Sequence, residues 1–188
     1  MIQTADIAEK RLALIVVDMQ NKFASGPLLE PSRRILPAIN SAISLFRSAG
    51  LPVVFVKMDG EGHGIPEGME DPDGFAEGLD WREGDPVVRK AEMNAFLRTG
   101  LADLLGGMGV DGVVICGLVA KWCVLSTYFG AYDHDICPYI LAGGTASTDE
   151  EETVHVYGVC HVADEALIRT NRAFRARGAP PPFRRADS

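Results

Sequence analysis

Three side chains have types and placements that could do chemistry together. Cys123 stands six residues after Gly117, in the stretch Val113-Val114-Ile115-Cys116-Gly117-Leu118-Val119-Ala120-Lys121-Trp122-Cys123-Val124, where an apolar run gives way to a helical pattern. A thiol in the first turn of a helix lies near the positive end of the helix dipole, which favours the thiolate, the nucleophilic form. Asp18 directly follows the apolar run ending in Val16-Val17, and Lys90 follows Val87-Val88-Arg89. An acid, a cation and a thiol are the set needed for nucleophilic acyl transfer. The acid takes the thiol proton and later hands it to a leaving amine. The ammonium stabilises the thiolate and keeps the acid ionised. Backbone N–H groups at the helix start can hold the oxyanion of a tetrahedral intermediate. Each residue alone has a plainer reading: Asp18 as a turn cap, Lys90 as a solvated charge, Cys123 as a small core residue.

Positions so far apart in sequence need a fold to gather them. Leu12 to Val17, Val53 to Val56, Val87-Val88, Val113 to Cys116 and Ile136 to Leu141 read as strands. They are apolar throughout and do not alternate, as in a parallel sheet buried on both faces. Helical patterns lie between them: Pro31 to Ala49, stopped by Gly50; a helix capped by Thr99 that ends at Gly106-Gly107; and Lys121 to Tyr132. Asp149 to Arg177 reads as mostly one long helix, with Ser147 or Thr148 as cap and Gly158 as a weak point. This alternation predicts an α/β fold, a three-layer doubly wound sandwich around a mostly parallel sheet of five to six strands, in a single domain over 1–188. In such sheets, sites form outside the carboxyl ends of the strands, which is where Asp18, Lys90 and Cys123 fall. Asp59 to Gly84, rich in Gly, Glu, Asp and Pro, is long for a structureless connection and is predicted to be a lid or rim of the site, or an interface arm. Residues 178–188, with Pro180-Pro181-Pro182, read as an extended tail.

Composition removes several classes of function. A formal net charge of -8, without clustered Lys and Arg, argues against nucleic-acid binding. No apolar stretch has the length of a membrane span, and Met1 to Lys10 carries mixed charge where a signal peptide would be apolar. The four cysteines form no C-x-x-C pair, so a zinc ribbon is excluded. Cys116 and Cys137 lie in strand-like runs as small hydrophobes. The expectation is cytoplasmic residence with reduced thiols.

Three segments resemble the isochorismatase-like superfamily of cysteine hydrolases, which includes nicotinamidases, carbamoylsarcosine amidases and ureidoacrylate amidohydrolases. Leu14-Ile15-Val16-Val17-Asp18-Met19-Gln20-Asn21-Lys22-Phe23 is similar to the family's opening strand with its D-x-Q-x-x-F. Val88-Arg89-Lys90-Ala91-Glu92-Met93-Asn94-Ala95-Phe96 is similar to its lysine segment, and Gly117 to Val124 has the spacing of its nucleophile segment. The resemblance implies a catalytic triad of Asp18, Lys90 and Cys123, a cis peptide at Leu118-Val119, and an oxyanion hole from the N–H groups of Val119 and Cys123. It implies amide or carbamoyl C–N hydrolysis of a small molecule, no cofactor, and a homo-oligomer. Two alternatives stand beside it: a hydrolase of the same fold acting on another bond, and a non-catalytic binding or scaffold member. Phe23 and Trp122 are the candidate substrate-binding residues.

The departures are local. Ala120 stands where the family commonly has threonine, and Lys121 and Trp122 precede the cysteine. Lys121 is read as facing either an anionic substrate or solvent. The metal-binding Asp-x-His pair of nicotinamidases is replaced by Asp59-Gly60-Glu61, with His63 nearby, so no metal is expected.

Overall fold

The first strand, β1 (Leu12–Val17), is buried at every position because both its faces are covered. The computed structural model describes residues 7–60 and 67–175. On one face, Leu12, Leu14 and Val16 meet Ile35, Ile39, Ile43 and Phe46 of α1 (Leu29–Ser48). On the other, Ala13, Ile15 and Val17 share a core with Leu101 and Leu105 of α2 (Leu101–Gly107) and with Tyr128 and Ala131 of α3 (Leu125–Tyr132). Cover on both sides is the physical reason for an unbroken apolar run. The remaining strands are β2 (Val53–Met58), β3 (Val87–Lys90), β4 (Gly112–Leu118), β5 (Cys137–Ala146) and β6 (Val162–Ala163). They form one six-stranded sheet in the order β3-β2-β1-β4-β5-β6, with every pairing parallel. The helix α4 (Glu150–Val159) adds Tyr157 to the α2–α3 side, while α5 (Glu165–Ile168) and α6 (Arg172–Arg175) bring Ile168 and Phe174 to the α1 side. This is the predicted doubly wound α/β sandwich. Among the described residues no helix is long and apolar enough to cross a membrane.

The chain leaves β1 toward one edge of the sheet and β4 toward the other, so the crevice between their carboxyl ends is the topological switch point where ligands bind in this architecture. Val17 and Gly117 are register partners there. Gly117 has φ +110°, and a Cβ at that position would sit 2.0 Å from the carbonyl oxygen of Val17. The next residue after β1, Asp18, has φ 52°, a left-handed conformation that is uncommon for non-glycine residues and concentrates at functional sites.

One expectation needs correction. The predicted long helix from Asp149 ends at Val159, where Cys160 turns extended with φ -112° and ψ 159°. His161 accepts the N–H of Ile140, Val162–Ala163 join the sheet as β6, and Asp164 then caps α5 through the Leu167 N–H. The cap of α4 is Asp149, which accepts the Glu151 N–H, and not Ser147 or Thr148. The Asp59–Gly84 connection, expected as a lid, a rim or an interface arm, is described only in part. Its described part runs back along the loop after β1, with Lys22 and Asn21 donating to Pro72 and Gly74, Ala76 donating to Met19, and a bridge between Gln20 and Phe75. Ala76 and Leu79 enter the core, so this part is a strap behind the β1 loop. The predicted 178–188 tail lies outside the described residues.

Gly117→Ala should be poorly tolerated, since both the dihedral and the Val17 carbonyl oppose a side chain. The expected cost is about 3 kcal/mol or more, a fall in Tm of about 10 °C for a chain of this size. Thermal unfolding of the variant checks this; an unchanged melting temperature would show that the strand ends are not packed as described.

Candidate active site

The sheet delivers its polar strand ends to one place. Lys90 is the last residue of β3, and its side chain is fully buried. Its Nζ lies 2.7 Å from Asp18 Oδ2 and 3.2 Å from Cys123 Sγ. Asp18 arrives from the end of β1, also buried. Cys123 arrives from beyond β4, where the Leu118–Val119 peptide is cis and the chain makes a π-helical turn over Ala120–Val124 before α3 begins. The wider turn places the Trp122 and Val124 N–H groups on the Val119 carbonyl. π-turns of this kind recur at functional sites.

Burial governs the electrostatics of the group. It raises the Asp18 carboxyl above its ordinary value, with the Lys90 ammonium pulling the other way. Burial, and then the negative charge of Asp18, push the Cys123 thiol up to about 12, again against Lys90. The thiolate favoured by the helix start is therefore opposed here by loss of water and by the neighbouring carboxylate. A thiol, a carboxylate and an ammonium together keep the same net charge when the thiol proton moves to the carboxylate.

Asp18 and Cys123 line a pocket of about 670 Å³, together with Phe23, Leu28, Met58, Met93, Leu118, Val119 and Trp122. Asp18, Cys123, Val119 and both candidate wall residues thus line one cavity, while Lys90 is buried against Asp18 and Cys123 without lining it. Trp122 presents its ring there while remaining about half exposed. Lys121 does not face the pocket; its ammonium is paired with Glu152. No described residue of the 67–84 strap lines this pocket. Met69, Glu70, Ala76 and Glu77 border a separate cavity of about 640 Å³.

A family model described as Isochorismatase domain matches residues 12–172. The chain belongs to the isochorismatase family. Streptothricin hydrolase of Streptomyces noursei is 37% identical over 118 residues, 61% of this chain and 46% of that protein. This chain therefore spans less than half of that relative's length. Nicotinamidase 3 of Arabidopsis thaliana is 29% identical over 160 residues, covering 78% of each chain. The crystal structure of N-carbamoylsarcosine amidase from Thermoplasma acidophilum matches with a TM-score of 0.69 and 27% identity, over 87% of this chain and 96% of that one.

Within this isochorismatase fold the described residues do not fit a metal site. Among them, no group of three or more His, Cys, Asp or Glu converges. Asp59, at the position considered for a ligand, is paired with Arg89, and His63 lies outside the described residues. Sequence reading missed Lys22, Met58, Met93 and Thr148, all of which line the pocket. Lys22 is buried, and its Nζ is held by Met58 O at 2.9 Å, Gly60 O at 2.7 Å and Asp73 Oδ1 at 2.6 Å. Gln20, fully buried, supports the same corner by accepting the Met58 N–H at 2.8 Å. Both lie inside the D-x-Q-x-x-F segment, so their position was available as a signal, although their partners were not.

Lys90→Met removes the cation and strands the Asp18 carboxylate in the core. The variant should lose about 3–5 kcal/mol near neutral pH. The sign of the pH dependence follows from Asp18, whose folded pKa is raised. A neutral Asp18 is tolerated below its unfolded pKa, and that stability is lost as pH rises through the folded value. The deficit of the variant against wild type should therefore shrink on acidification. Melting curves of both proteins across pH check this; a deficit independent of pH would place the Asp18 charge elsewhere.

Proposed function

We propose that this chain is a cysteine amidohydrolase that cleaves a C–N bond of a small-molecule amide through a thioester. The observation that carries the reading is the buried Lys90 ammonium in contact with both Asp18 and Cys123, two residues that line an apolar pocket. In the first step Asp18 accepts the thiol proton as Cys123 Sγ attacks the carbonyl carbon. The N–H groups of Val119 and Cys123 hold the oxyanion. The C–N bond breaks, the proton on Asp18 passes to nitrogen, and ammonia or an amine leaves. Asp18 then takes a proton from water, the hydroxide attacks the thioester, and the acid product departs as the thiol is restored. The names of the relatives, a nicotinamidase, an amidase and a streptothricin hydrolase, agree with C–N hydrolysis.

The proton shuttle explains why a raised thiol pKa is compatible with nucleophilic attack. Transfer between two groups of one neutral cluster does not add a charge to a dry site. Lys90 serves both states, since it pairs with the carboxylate before transfer and with the thiolate after it.

The test is an ammonia-release screen over nicotinamide, maleamate, ureidoacrylate, carbamoylsarcosine and biuret, run on wild type and on Cys123→Ala. Wild type should turn over at least one compound. The variant should fall by roughly 10³-fold or more while keeping its circular dichroism and melting temperature. Wild-type rates in Cys123→Ala would exclude the thioester route.

A second expectation concerns pH. Asp18 must be ionised to accept the proton, and its carboxyl is raised. The acid limb of kcat/KM should therefore lie above the ordinary aspartate value of about 3.9, and Asp18→Asn should abolish the activity that defines the limb. A limb at or below the ordinary value, measured with the substrate the screen identifies, would assign the proton acceptor to another group.

A further inference from the structure

We infer that the pocket selects uncharged amides with a flat apolar body and rejects amides that carry a carboxylate. For turnover this rests on the amidohydrolase reading; for binding it rests on the pocket alone. An anionic substrate needs a cation with a free donor, and each ammonium that the described residues bring to this site is already engaged. A lysine ammonium has three donors. Those of Lys22 are taken by Met58 O, Gly60 O and Asp73 Oδ1, all within 2.9 Å. Lys90 is taken by Asp18 and Cys123, with Met58 Sδ 3.9 Å away. Lys121, the neighbour of the nucleophile segment, is paired with Glu152. No arginine is among the described lining residues, whose remaining polar side chains are Ser25 and Thr148. The Ser25 hydroxyl donates to Lys22 O at 2.9 Å.

Charge bookkeeping leads to the same place. Lys22 is balanced by Asp73 and Lys90 by Asp18, so the pocket offers no net positive field. A carboxylate entering it would shed its hydration without a counter-ion, beside the negative Asp18. The walls favour the opposite kind of ligand. Phe23, Met58, Met93 and Trp122 present aromatic and thioether surfaces, with the aliphatic Leu28 beside them, which suit a planar ring. Lys22 is then the specificity-determining residue: an ammonium at the pocket wall whose charge is silenced by Asp73, a residue of the strap.

The pair that isolates charge is 3-nitrobenzamide and 3-carbamoylbenzoate, because a nitro group matches a carboxylate in shape without the charge. Affinities for both are measured by calorimetry on Cys123→Ala, and kcat/KM on wild type. The nitro compound should bind at least tenfold more tightly. Asp73→Asn, which unmasks the charge of Lys22, should improve binding of 3-carbamoylbenzoate several-fold and change 3-nitrobenzamide less than twofold, with its melting curve confirming a folded variant. Equal or tighter binding of the carboxylate compound overturns the inference, as does failure of 3-nitrobenzamide to bind. An unchanged ratio in Asp73→Asn removes Lys22 as its basis. If 3-nitrobenzamide binds selectively and no amide in the screen releases ammonia, the selectivity stands and the amidohydrolase reading falls.

Discussion

Everything at this site follows from one buried cation. The ammonium of Lys90 has no access to water, so it must be paired inside the protein, and the protein supplies a carboxylate from the end of β1 and a thiol from the turn after β4. Removing any member leaves an uncompensated charge or an idle acid in a dry core, a cost that surface ion pairs never carry. The cluster is neutral in two arrangements of a single proton. On the proposed mechanism, that equivalence is what would let a weakly acidic thiol act as a nucleophile without solvent.

The same logic runs through the corner behind the site. Lys22 is a second buried ammonium, answered by two carbonyls and a carboxylate. Its partners come from the end of β2 and from the strap, and Gln20 binds both peptide groups of Met58 in the manner of a strand partner. The 67–84 strap is thereby fixed against the β1 loop, and Phe75 stacks between Phe55 and Trp81 at its centre. The two buried lysines thus have different work: Lys90 joins Asp18 and Cys123, and Lys22 holds the wall.

Sequence reading reached the sheet because strands covered on both faces leave an unmistakable apolar run, as at Leu12–Val17. It reached Asp18, Lys90 and Cys123 because parallel strand ends must converge, whatever the loops do. It stopped where the deciding contact is distant. The two-residue strand Val162–Ala163 exists through pairing with Ile140 and Leu141, and nothing local distinguishes it from a continuing helix. The thiol was misjudged because a helix start can be read from spacing, whereas the burial that opposes it cannot. Lys22 drew no reading of its own, because its partner Asp73 lies 51 residues along the chain.

The contact between Val17 and Gly117 has a consequence for how such a protein can change. Asp18 and the turn that carries Cys123 follow the ends of adjacent, hydrogen-bonded central strands, so the ladder fixes where both begin. The walls are different: Phe23 lies on a loop, Met93 on the connection after β3, and the Trp122 ring on the outside of a turn. Their side chains can be exchanged without touching the ladder. The architecture therefore separates inheritance into two parts, a polar cluster fixed by the sheet and a pocket wall free to drift, which is how one scaffold can diversify the shape of its cavity while keeping the groups at its base.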